Sequence, residues 1–174
     1  MQHFLHPHPA QLPSQPFNLE VNTHHLQDRL RFRYRLTGDL SALAIPPRTN
    51  SARRDKLWQH MCFEAFVLTD GGYLEFNYSP SMEWAAYRFF GYRDEMAELE
   101  IAEPKISVVR NDYALELAAE VTFPALPTRL GLSAVIEEVS GRKSYWALRH
   151  PSGDKPDFHH PDCFAIALSP PPGP

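Results

Sequence analysis

Cysteine is scarce: Cys62 and Cys163 are the two in 174 residues. Two thiols cannot build the disulfide framework that substitutes for a core in small secreted domains, so both are read as free, with Cys62 a core or site-wall residue. Charge is scarce as well. A formal net charge of -4 with 22% charged residues excludes the strong basic field that nucleic acid or an anionic membrane would require. No apolar run approaches the length of a membrane span. The opening MQHFLHPHPAQLPSQPF has no positive segment followed by an apolar one, so no secretory signal is expected and a cytoplasmic location is the default. Helical periodicity is missing outside the short acidic segment DEMAELEIAE. The G-x-S-x-G elbow, the phosphate loop and H-E-x-x-H are missing too, which leaves the usual enzyme classes without a motif.

What the chain does have is alternation. With 43% hydrophobic and 12% aromatic residues it is long enough to bury one sizeable core. Short runs with a period of two, separated by Gly, Pro, Asn and Asp, succeed one another at near-regular spacing, and most of the 17 prolines fall between them. The expectation is an all-β chain, a sandwich or barrel of antiparallel strands. Its organisation is expected as a proline-rich arm over 1–16, one domain over 17–168 and a disordered proline-rich tail over 169–174.

The densest information lies in LWQHMCFEAFVLTDGGYLEFNYSPSMEWAAYRFFGY, residues 57–92. Two alternating runs meet at Asp70-Gly71-Gly72 and a third follows Ser79-Pro80-Ser81, the pattern of a β-meander. Successive strand residues face opposite sides. Counting alternation through the three runs places Glu64, Glu75, Asn77, Trp84 and Arg88 on one face. Charged and amide groups among aromatics suit a polar small ligand: rings stack on the C–H face of a sugar while Glu, Asn and Arg bond its hydroxyls. Trp84 and Trp146 are the expected stacking platforms, Trp58 the third, and Arg149 joins the set from the end of the Trp146 strand. The competing readings are core burial for each tryptophan and, for Glu64 or Glu75 with Arg88, a structural cross-strand ion pair.

Three stretches carry a family resemblance: LWQHMCFEAFV, YLEFNYSPSMEWAAYRFFGYR and the closing ALRHPSGDKPDFHHPDCFAI. They resemble the bacterial DOMON-like proteins that group with the family-9 carbohydrate-binding modules. The likeness covers Leu57–Arg93 and Trp146–Leu168. It implies a two-sheet antiparallel β-sandwich of jelly-roll type that binds without catalysing, its ligand either a sugar between aromatic rings or a haem on axial side chains.

Other chemistries compete for the same residues. Glu64 and Glu75 on adjacent strands raise a glycosidase, whose retaining pair sits about 5–5.5 Å apart. His150, Asp157, His159 and His160 are of metal-binding type, but neighbouring His side chains diverge on an extended segment and prolines mark a rigid loop, so hydrogen bonding within the loop competes. Haem would draw on His60, Met61, Met82 or Met96. The arginines at 29, 31, 33 and 35 share one strand face, a solvated surface or a contact for anionic ligands or a protein. The ranking is a saccharide or related polyhydroxylated ligand first, haem or redox binding second, a protein-interaction scaffold third.

Overall fold

Alternation becomes burial along β2 (Asn18–Leu26) and β3 (Arg29–Thr37): Leu19, Val21, Leu30, Phe32, Tyr34 and Leu36 leave solvent while Arg29, Arg31, Arg33 and Arg35 stay in it. The computed structural model describes residues 1–26, 29–122 and 127–168, and among them the chain is all-β apart from three single 3-10 turns. The remaining strands are β1 (Gln2–Pro7), β4 (Ala52–Arg53), β5 (Cys62–Thr69), β6 (Gly72–Tyr78), β7 (Glu83–Phe89), β8 (Ala97–Glu98), β9 (Lys105–Arg110), β10 (Ala114–Thr122), β11 (Arg129–Glu137), β12 (Lys143–Ala147) and β13 (Ile166–Ala167).

They pair in one continuous path, β4-β7-β6-β5-β11-β12-β1-β2-β3-β10-β9, with β13 added to β11 and β8 to β7. All pairings are antiparallel except β4 with β7, so the sheet is mixed. The path is continuous because β1 changes partner midway: Gln2 to Leu5 pair with β2, and His6 and Pro7 pair with β12. The sheet therefore curls, and its two halves face one another across the main core. Phe32, Tyr34 and Leu117 of one half meet Phe63, Phe76, Tyr78, Trp84 and Trp146 of the other, and the Tyr34 hydroxyl donates to the Glu64 carbonyl at 2.8 Å across the interface.

The first sixteen residues thus differ from an arm. They supply the joining strand, their amino terminus donates to the Thr23 carbonyl at 2.7 Å, and the Ser14 N–H donates to the buried Glu138 carboxylate at 2.8 Å. The expected tail over 169–174 lies outside the described residues. On the outer face of β3 the arginines meet Glu116 and Glu120 of β10 at 2.5–3.2 Å, a paired stripe rather than a bare cationic one.

The half-sheet containing β5, β6, β7, β11 and β12 has a second apolar face, away from the main core. Cys62, Phe66, Tyr73, Ala85, Tyr87, Phe89 and Val135 lie there under Phe158 and Phe164 of the closing segment. Gly131 permits that cover: a Cβ at this position would stand 2.9 Å from the Cys163 carbonyl oxygen. The candidate site is built on this face.

Candidate functional site

Two turns decide which side chains meet. Between Thr69 and Gly72 the connection is the two residues Asp70 and Gly71, so Glu64 stands opposite Asn77 and Phe66 opposite Glu75. Glu64, Glu75 and Asn77 share one face, as the alternation requires. The next connection is different. Ser79 and Glu83 still exchange a backbone bond (2.9 Å), leaving Pro80, Ser81 and Met82 as a loop of three, with Met82 in the left-handed region at φ 83°. A loop of three preserves odd–even parity where a loop of two reverses it. Glu75 is consequently paired with Tyr87, and Asn77 with Ala85.

Trp84 and Arg88 are therefore corrected: they belong to the opposite face. Trp84 is buried in the main core with the Arg53 guanidinium 4.4 Å from its ring centroid. Arg88 is exposed, 4.7 Å from the Phe90 ring centroid, and does not reach Glu64 or Glu75. Trp146 is corrected in the same way. It pairs with Ala134, packs in the main core and donates its indole N–H to Ser144 at 2.9 Å, while its neighbour Tyr145 turns to the outer face. Arg149 is exposed and stands outside the cavity lining.

Above Glu64 and Glu75 opens a cavity of about 700 Å³. Trp58, Tyr145 and Phe158 contribute its aromatic wall, His159, Arg93 and Met96 its far side, and His60 and Lys143 its remaining rim. Trp58 comes from the 3-10 turn Leu57–Gln59 and meets Tyr87 edge-on at 5.7 Å. At the base, Glu64 accepts from the Ser133 hydroxyl (2.9 Å) and Glu75 from the Asn77 amide (2.8 Å). Burial, and for Glu64 also the charge of Glu75, raises both carboxyls well above the ordinary carboxylate range; the hydrogen bonds from Ser133 and Asn77 oppose that rise without cancelling it.

His159 reaches this base from the closing loop. It is boxed by Phe66, Tyr73 and Phe89, with ring centroids at 5.1, 5.7 and 5.1 Å. The Tyr73 hydroxyl accepts from the Arg93 backbone N–H and shares a hydrogen bond with His159 Nδ1 at 2.7 Å. Burial, then the Arg93 charge, lowers the imidazole to about 4. The other ring nitrogen, Nε2, lies 3.8 Å from Glu75 Oε2. Asp157 anchors the loop: it accepts from Tyr92 (2.6 Å), from the Arg93 guanidinium (2.9 Å) and from the His159 N–H (3.2 Å).

Of the closing-loop residues considered as metal ligands, Asp157 and His159 enter this network, His150 bonds the His6 carbonyl at 2.9 Å, and His160 caps the Asp162 N–H at 3.2 Å. These partners separate the four, and among the described residues no group of three or more His, Cys, Asp or Glu converges as a metal site. The haem donors separate too. His60 and Met96 line the rim, His60 held at 2.9 Å by Glu137, whereas Met61 is buried in the main core and Met82 sits in the β6–β7 loop. Glu64 and Glu75 are diagonal across β5 and β6, not directly opposed. Cys163 donates to the Arg149 and Asp157 carbonyls, and both cysteines are free.

Arg93, Tyr73, Ser133, Tyr145 and Phe158 are site residues that alternation along 57–92 alone did not single out. Tyr73 shares parity with Glu75 and was legible; Ser133 and Tyr145 required the pairing of β5 with β11 and β11 with β12.

No family model matches the sequence, and no curated protein matches it. Solved structures do match in shape. A Bacteroides uniformis protein provisionally described as carbohydrate-binding superposes with a TM-score of 0.60 at 13% identity, over 92% of this chain and 83% of that one. A family-9 carbohydrate-binding module of Caldicellulosiruptor kristjanssonii, in complex with cellotriose, superposes with a TM-score of 0.50 at 11% identity, over 88% and 75%. The chain has their fold. At these identities the likeness is one of architecture.

Proposed function

We propose that the chain is a non-catalytic saccharide-binding domain whose ligand enters the cavity above Glu64 and Glu75. One observation carries the reading: buried carboxyl groups at the base of an open cavity whose wall is Trp58, Tyr145 and Phe158. Sugars need that combination, apolar rings for their C–H faces and directional polar groups for their hydroxyls. The shared fold with a module that holds cellotriose supports it. On this reading the chain is a DOMON-like relative of the family-9 group, and its facing half-sheets are the two layers of a jelly-roll-like sandwich tied together by β1.

The test is a glycan array followed by calorimetry on the strongest hit. Trp58→Ala is expected to weaken binding by about tenfold or more, in line with the loss of a central aromatic contact. Trp84→Phe, on the opposite face, is expected to leave it unchanged. An equal loss from both variants, or a Trp58→Ala protein that binds normally, rules this cavity out. Turnover of the bound oligosaccharide that Glu75→Gln abolishes would replace binding by hydrolysis.

A further inference from the structure

We infer that the saccharide taken by this cavity carries a free amine, and that Glu64 and Glu75 together receive its ammonium group. This rests on the saccharide reading above and narrows it to amino sugars.

Among the described residues no Lys or Arg side chain lies within ion-pair distance of Glu64 or Glu75. The cations of the rim are committed elsewhere: Arg93 to Asp157 at 2.9 Å, and Lys143 to the Gln59 carbonyl at 2.5 Å and Glu137 at 3.8 Å. His159, 3.8 Å from Glu75, is held neutral between three rings, and Arg93, although bound to Asp157, lends Glu75 only the influence of its charge from a distance. Each glutamate uses one oxygen internally, Glu64 toward Ser133 and Glu75 toward Asn77.

A second feature of this face is Asn77. Its side chain is wholly buried, its amide nitrogen is spent on Glu75, and its Oδ1 has no partner. Buried acceptors without donors are costly, and in their ionised form the two carboxyls have a single hydroxyl and one amide to serve them. The missing component is a donor-rich cation. An ammonium group supplies three N–H donors and a charge, and the neighbouring aromatic faces favour a cation over a neutral group. A bare divalent ion fits less well, since among the described residues no three His, Cys, Asp or Glu side chains converge.

Burial leaves the carboxyls protonated more readily than ordinary glutamates, so a bound ammonium would displace protons from the pair.

The experiment is calorimetry of the full chain against matched sets: glucosamine, galactosamine and the β-1,4-linked glucosamine disaccharide, each beside its N-acetyl and 2-hydroxyl counterpart. The expected result is that an amine binds at least about tenfold more tightly than both counterparts, with proton release seen as a dependence of heat on buffer ionisation. Glu64→Gln and Glu75→Gln are expected to collapse that preference toward one. Gln removes the buried charge without changing shape, and melting curves verify folding. Counterparts that bind as tightly as the amines overturn the amine assignment and leave the saccharide reading standing. Simple alkylammonium ions that bind while no sugar does overturn the saccharide reading, leaving a cation site. Calcium or magnesium alone competing with the amines reassigns the pair to metal and overturns the proposal, and a panel without any binding overturns both readings.

Discussion

Ser133 shows how one hydroxyl sets the chemistry of a buried acid. Its bond to Glu64 is the influence that holds that carboxyl down against burial and against Glu75. Ser133→Ala is expected to push the Glu64 carboxyl further up, read as a later titration of its side-chain carbon resonance. A resonance that titrates unchanged would mean the hydroxyl serves packing alone. The tryptophans divide by face at the same scale. Trp146→Ala removes a fully packed core ring, with an expected loss of about 3–5 kcal/mol in urea unfolding. Trp58, half-buried at the cavity, is expected to cost far less stability and far more affinity.

At the scale of elements, the closing segment is held onto β11 by the absence of a side chain. Gly131 lies directly opposite Phe66, and the Cys163 carbonyl sits where its Cβ would be. The neighbour is backbone and cannot swing aside. Gly131→Ala is therefore expected to lift the segment carrying Asp157, Phe158 and His159, at about 1–3 kcal/mol for overpacking, with faster amide exchange over 157–164 and weaker ligand binding. Normal exchange there would show that the segment is fixed by Asp157 and its partners instead. The β6–β7 loop is the other decisive element. Its three residues put Tyr87 beside Glu75 and send Trp84 into the main core, an outcome that a loop of two would invert for every side chain of β7.

For the whole molecule, stability should depend on pH in two opposed ways. Glu64 and Glu75 have raised folded-state values, so the native state binds more protons than the unfolded one from the ordinary carboxylate range up through neutrality, and their contribution falls as pH rises. His159 is lowered to about 4 from 6.5, so between those values the unfolded state binds more protons and its contribution grows as pH rises. The two partly cancel below pH 6.5; above it the carboxyls lead, joined toward the alkaline end by the thiols of Cys62 and Cys163, which burial also raises. The melting temperature is expected to decline from pH 6.5 toward 8.5, and Glu64→Gln with Glu75→Gln to flatten that decline and stabilise the protein at the alkaline end. A decline that persists in the double variant would place its origin elsewhere.

Local alternation was sufficient for the all-β character of the chain and for the common face of Glu64, Glu75 and Asn77, because the period of two and the short turn at Asp70-Gly71 are both written in neighbouring residues. Parity across the β6–β7 connection was not legible, since it depends on a backbone bond between Ser79 and Glu83 and on a left-handed Met82, where sequence offers no glycine as a signal. Nor was the role of residues 1–16, whose prolines read as an arm. β1 is held by partners far along the chain, β2 on one half and β12 on the other. The same reason explains His159. Its residue type was visible in the closing loop, but only the packing of that loop against β11 and the ring box of Phe66, Tyr73 and Phe89 brings it to Glu75. Periodicity is a local property and survives in the sequence; the meeting of distant segments is decided by burial, which only the folded chain contains.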